Sequence, residues 1–216
     1  MNSAPRTTML LGGVGLAVVG LRELLPFVLN WMSDTSGLES VIRSGPAQGL
    51  QLIVLLASCV VLAFGWRKET GIVGTSVLGR AALLLVGLAF PIQALASWAV
   101  LRGAPSDTGA ALLFVTALNL LPIAGMSVAA VAVARRRVVE GFARWVLIGV
   151  AAAELLTFVL TSIPITNQGY WAAMFYITAI LPATLAIAGV TYAFSGRSAA
   201  VRRQARTIYS QWRLTT

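Results

Sequence analysis

The sequence predicts an all-α integral membrane protein. Its expected form is a six-helix transmembrane bundle with both termini cytoplasmic, a short external helix in the first loop and a basic amphipathic helix at the C-terminal end. Three observations predict this class. Of 216 residues, 58% are hydrophobic and only 11% charged, with a mean hydropathy of +0.85, whereas soluble domains carry about 25% charged residues. Apolar runs recur at about 20 residues, the length that crosses a hydrocarbon core of roughly 30 Å. The basic residues alternate from loop to loop, as the positive-inside bias requires.

The expected spans are residues 9–31, 49–66, 78–101, 109–134, 142–163 and 170–194. They are too long and too uniformly apolar for barrel strands, so each reads as a helix. One side of the membrane receives thirteen basic residues, from Arg6, Arg67, Lys68 and Arg80 through Arg135, Arg136, Arg137 and Arg144 to the tail. The other side receives Arg43 and Arg102. That asymmetry puts both termini in the cytoplasm. Trp31, Trp98 and Trp171 then fall at the outer interface and Trp66 and Trp145 at the inner one, where aromatic belts form. The opening "MNSAPRTTMLLGGVGLAVVG" has the charge order of a signal peptide but no clear cleavage site, so it reads as an uncleaved first span.

Short loops leave one domain, residues 1–196, and a tail, 197–216. In the first loop Ser36 and Glu39 form a capping-box pattern, and Gly45 and Pro46 supply a stop. A short external helix over about residues 37–44 follows, a re-entry cap or a lid. In the tail Val201, Ala205, Ile208 and Trp212 share one helical face and Arg202, Arg203, Arg206 and Arg213 fall mostly on the other. Such a helix lies on an anionic inner leaflet or docks on a partner membrane subunit. The net charge of +9 is accounted for by these loops and the tail, which removes the case for nucleic-acid binding.

Several chemistries are absent from the sequence. It has no histidine and one cysteine, Cys59, so neither a His-based acid–base site nor a zinc site of Cys and His can be built. No phosphate-binding loop, nucleophile elbow, H-E-x-x-H or CxxC pattern occurs. The sequence predicts neither an enzyme nor a resident cofactor or metal. Fifteen Arg against one Lys, among abundant Ala, Val, Leu and Gly, fits a GC-rich bacterial genome and hence a bacterial plasma membrane.

Charges within the spans carry the functional expectation. A charge at a helix centre costs about 2.5–3.5 kcal/mol on insertion scales, so each calls for a partner or a role. Arg22, Glu23 and Glu154 are such residues. At about 1.5 Å per residue, Arg22 stands roughly 21 Å up the first span and Glu154 roughly 15 Å up the fifth. Arg22 leans toward its helix N-terminus, and an Arg22–Glu154 ion pair is expected. Gln93 and Asn119 fall at similar depth, roughly 20 Å and about 17 Å along their spans. Together these five form a candidate ligand- or ion-binding layer, with Thr157 a turn above Glu154. Pro26, Pro91, Pro122 and Pro182 interrupt four spans as kink candidates and free the carbonyls of Arg22, Gly87, Leu118 and Thr178. "LRELLPFVL" resembles "LNLLPIAGM", and "GLAFPIQALA" resembles "TAILPATLAI", as inverted repeats of a carrier would. Gly13 with Ala17, and Gly149 with Ala153, fit small-xxx-small packing.

The expected function is a small carrier, permease or substrate-binding subunit with a polar mid-membrane site. The alternative is an accessory subunit of a larger membrane complex, its buried charges acting as a folding clamp.

Overall fold

The computed structural model describes residues 6–29, 44–67, 69–103, 108–136, 138–139, 141–163 and 168–214; side chains at 94, 97–103, 108–113, 115, 168–173 and 198–214 are outside the description. It is all-helical, 88% helix with no strand among the described residues. The helices are α1 (Arg6–Leu29), α2 (Gly45–Phe64), α3 (Val77–Gly103), α4 (Thr108–Arg136), α5 (Val146–Thr161) and α6 (Gln168–Leu214). Four carry stretches long and apolar enough to cross a membrane: Arg6–Leu29, Gly45–Phe64, Thr116–Arg136 and Met174–Arg197. Val77–Gln93 of α3 and Val146–Thr161 of α5 are shorter apolar segments. The expected fifth span is divided: a 3-10 turn, Gly141–Arg144, precedes α5.

Each helix packs on its neighbours in sequence, and α6 closes on α1, so the principal contacts form a ring of six. The α1–α6 seam is the most extensive. A Cβ on Gly13 would fall 2.6 Å from the Gly189 carbonyl oxygen, one on Gly20 2.7 Å from that of Pro182, and one on Gly196 2.6 Å from that of Arg6. The partner number falls as the α1 number rises, so the helices run antiparallel. Small residues let the backbones touch, which is how helices gain van der Waals energy where lipid removes the hydrophobic drive. Gly13 and Ala17 thus pack as expected. Gly149 does not: nothing lies within 4 Å of its would-be Cβ.

α1 shows why the sequence is apolar on every side. Its inner face buries Met9, Leu16 and Val19, while Leu10, Val14, Val18, Leu21, Leu25 and Val28 are exposed along the opposite face. A helix apolar all round is one with no aqueous face, and an exposed apolar stripe of this length matches a lipid-facing surface.

The end where α1 begins is called here the lower end. It is closed by folded loops. Gly65 turns the chain with φ +90, a conformation that favours glycine. Ile72 and Val73 then insert with no exposed surface, beside Val139 from the α4–α5 loop. Glu69 reaches back to the start of α1: its Oε1 accepts from the Thr7 N–H at 3.1 Å and its Oε2 from the Thr8 N–H at 2.7 Å. These are first-turn donors without a helical partner, so a distant carboxylate caps α1. The Thr8 hydroxyl oxygen in turn accepts from the Trp66 N–H at 2.8 Å. Arg144 donates to the Ala134 carbonyl near the end of α4, a favourable place for a cation.

Two expectations change. α2 starts at Gly45, ahead of the expected span at 49, so Gly45 and Pro46, expected as a stop after the external helix, form its first turn; Pro46 sits where its missing N–H costs nothing. The tail is not a separate helix, because α6 continues unbroken through Gly196 to Leu214. Gly196 is small because α1 passes against it, and residues 197–214 extend roughly 27 Å further. The side chains of Arg202, Arg203, Arg206, Trp212 and Arg213, and the expected external helix at 37–44, lie outside the described residues.

Candidate functional site

All six helices contribute to a central cavity of about 550 Å³. Its two halves differ because the helices alternate in direction while their polar residues cluster at one level. Below, Leu16, Leu55, Cys59, Leu62, Leu83 and Leu147 make an apolar floor over the loop plug. Above, Glu23 of α1, Gln48 and Gln51 of α2, Gln93 of α3, Asn119 of α4, Thr157 of α5 and Thr178 of α6 make a polar rim. Glu154 lies lower than the rim, roughly 12 Å above the start of α5, against roughly 25 Å for Glu23 above the start of α1.

The structure therefore brings Glu23, Gln93, Asn119 and Glu154 to one cavity. Arg22 lines an adjoining polar recess of about 350 Å³ with Glu23, Pro26, Phe27, Gln48, Phe175 and Thr178. The Phe27 and Phe175 rings, with centroids 4.8 Å apart, join α1 to α6 beside this recess.

The expected Arg22–Glu154 pair does not form. Arg22 Nη1 instead bonds Glu23 Oε1 at 3.1 Å. Consecutive helical residues diverge by about 100°, but the long guanidinium stem wraps round to its neighbour. The same Glu23 oxygen accepts from Gln51 Nε2 at 2.5 Å. Glu23 thus has a cation and an amide donor, and its charge is compensated at the rim.

Glu154 is left in the opposite condition. The residue is 7% exposed, it lines the cavity, and its Oε2 has no hydrogen-bond partner among the described residues. The Thr157 hydroxyl, one turn above, donates to the Ala153 carbonyl of its own helix at 2.8 Å. Gln93 is committed as well: its Nε2 donates across to the Leu118 carbonyl at 3.0 Å. That is the oxygen Pro122 frees, four residues on. All four prolines lie inside their helices; Pro182 lines the central cavity and Pro26 the recess.

The sequence reasoning missed Gln48, Gln51 and Glu69. Gln48 and Gln51 are an i, i+3 polar pair in an apolar run, a readable signal once α2 is started at Gly45. Glu69 sits in a polar loop and has no local signal, because its partners are some sixty positions away. Among the described residues no cluster of His, Cys, Asp and Glu could hold a metal ion. Comparison with known protein families, characterised proteins and solved structures gave no match. Fold and site define the chain as a helical bundle with membrane-capable spans and, in its central cavity, one acid that is paired and one that has no partner among the described residues.

Proposed function

We propose that this chain is a multi-pass protein of a bacterial plasma membrane, with all six helices spanning and the lower end cytoplasmic. It is a carrier, permease or substrate-binding subunit for a small solute held in the central cavity. One observation carries the reading: Glu154, buried and without a partner among the described residues, faces a cavity built by all six helices. Buried polar atoms are paired in nearly all native structures, and exceptions cluster where function needs them. An intramembrane acid facing a cavity is by default a functional residue. Arg80 in the first turn of α3, Arg135 and Arg136 in the last turn of α4 and Arg144 in the 3-10 turn lie at the lower end, in accord with a cytoplasmic lower end. α5 is only 16 residues, and a short span is accommodated by local bilayer thinning.

The test is a solute screen in proteoliposomes by solid-supported-membrane electrophysiology, covering amines, amino acids, sugars and carboxylates. A current or binding signal is expected for one class, and Val150→Trp, which fills the cavity wall, should abolish it. Silence across the panel with folded protein overturns the reading. A second reading, an accessory subunit, draws on the extension of α6 beyond Gly196. A stoichiometric partner released by truncation after Arg197 would favour it.

A further inference from the structure

Resting on the reading of the cavity as a solute site, we infer that its solute is an amphipathic organic cation, such as a lipophilic amine or quaternary ammonium. Its positive centre sits on Glu154 and its apolar body on the floor below. The charge balance of the cavity points there. Of the two acids that line it, Glu23 is already bonded by Arg22 and Gln51. Among the described residues Glu154 is not compensated and no Lys or Arg lines the cavity. A carboxylate buried in apolar surroundings needs a counter-charge.

The walls select the kind of cation. A hard metal ion takes six or more oxygen ligands. Most of the described lining is apolar, and next to Glu154 on α5 stand Val150 one turn below and Thr157 one turn above, whose hydroxyl is bonded to its own helix; such a lining does not gather six oxygens on Glu154. An organic cation needs only one charged contact and gains from apolar surface, and Phe90 and Met126 add polarisable wall. An anion would meet an acid with no base. A neutral apolar solute would leave the carboxyl unpaired. The volume, about 550 Å³, falls within the range that encloses a drug-sized molecule, roughly 300–1,000 Å³.

A proton and an organic cation are alternative neutralisers of one carboxylate, so they compete. The titratable groups facing Glu154 across the cavity are Glu23 from α1 and Cys59 from α2. Among the described residues α3, α4 and α6 present Gln93, Asn119 and Thr178 to the cavity and no charge. Tyr192 of α6 is in the core cluster. Competition therefore centres on Glu154.

The experiment is equilibrium binding of tetraphenylphosphonium to the purified full chain, with tetraphenylborate as an anion of the same shape. The phosphonium is expected to bind at one per chain, and more weakly as pH falls from about 8 to about 5, by at most about tenfold per unit for one competing proton. Tetraphenylborate should bind at least about tenfold more weakly, the scale of one well-placed charge contact. Glu154→Gln should lose affinity and the pH dependence together, Glu154→Asp should keep part of both, and Gly149→Ala, outside the cavity lining and facing open space, should keep both. Size-exclusion elution verifies folding; should Glu154→Gln fail to fold, the pH dependence of the unaltered protein decides. Equal binding of the borate, pH-independent phosphonium binding or no phosphonium binding each overturns the cation assignment. If another solute class still gives a signal in the screen above, the cavity reading stands without it. If none does, both fall.

Discussion

The side-chain amide of Gln93 donates at 3.0 Å to the Leu118 carbonyl, the oxygen that Pro122 deprives of its helical donor. A proline in α4 thus creates an acceptor, and a glutamine in α3 fills it. The two helices are joined at the rim of the cavity by a bond that neither makes alone. Gln93→Leu should lower stability in detergent by about 1 kcal/mol, typical of an interhelical bond in membrane proteins. Pro122→Ala restores a donor within α4, so in that background the cost of Gln93→Leu should shrink. Thermal melts of the two single variants and the double give the coupling; strictly additive losses would show that Gln93 is not serving the freed carbonyl.

The residues of this bond were both legible in the sequence, as a polar side chain and a proline at one depth, but their relation was not. The same holds for the charges. Arg22, Glu23 and Glu154 announce themselves because charge is expensive in an apolar run. Which of them pair depends on side-chain direction and on how α5 sits in the ring, and neither is encoded in spacing along one helix. Arg22 needed a partner and found it one residue away; the acid without one among the described residues is Glu154. Gly196 is the last residue before the expected tail, yet α6 runs through it. It is a contact point with α1, a reason visible only with both helices in place.

Glu69 gives a pH dependence with a definite sign. Partial burial works against its ionisation, but the Thr8 and Thr7 N–H groups outweigh that and hold its carboxyl below the ordinary value of 4.5. A lowered folded pKa contributes stability that is complete above the unfolded value and is lost as pH falls through the folded one. The difference in melting temperature between the native chain and Glu69→Gln should therefore be constant above about pH 5 and close below it. Its plateau should correspond to about 1 kcal/mol, the scale of a charged group at a helix N-terminus, and shrink with salt. A difference that persists unchanged in acid would show that the carboxylate charge is not what holds the start of α1.

The antiparallel seam predicts a contrast between two glycines. A Cβ at Gly189 would press on the Ala17 backbone N and on the Gly13 carbonyl, which cannot move like a flexible side chain. Gly189→Ala should cost about 1–3 kcal/mol by overpacking. Gly149→Ala meets open space and should be neutral or stabilise by up to about 1 kcal/mol, the helix propensity difference. Melting temperatures of the two variants test this directly. A tolerated Gly189→Ala would mean that α1 and α6 do not approach as closely as the backbone contact implies.

Glu154→Met separates a site from a clamp. A carboxyl that holds helices together has partners, and removing it leaves those partners unsatisfied and the protein weaker. Glu154 Oε2 has no partner among the described residues and lines a cavity whose described lining is mostly apolar. Replacing an unpaired buried polar group with an apolar one of similar volume removes its desolvation cost, worth about 1–3 kcal/mol. Glu154→Met should therefore melt higher than the native chain while losing binding of the phosphonium probe. Gain of stability with loss of binding is the exchange expected where a residue is kept for function against its own folding cost. A lower melting temperature would show that Glu154 is held by a partner and acts as a clamp, and the lone-acid argument for the cavity would fail with it.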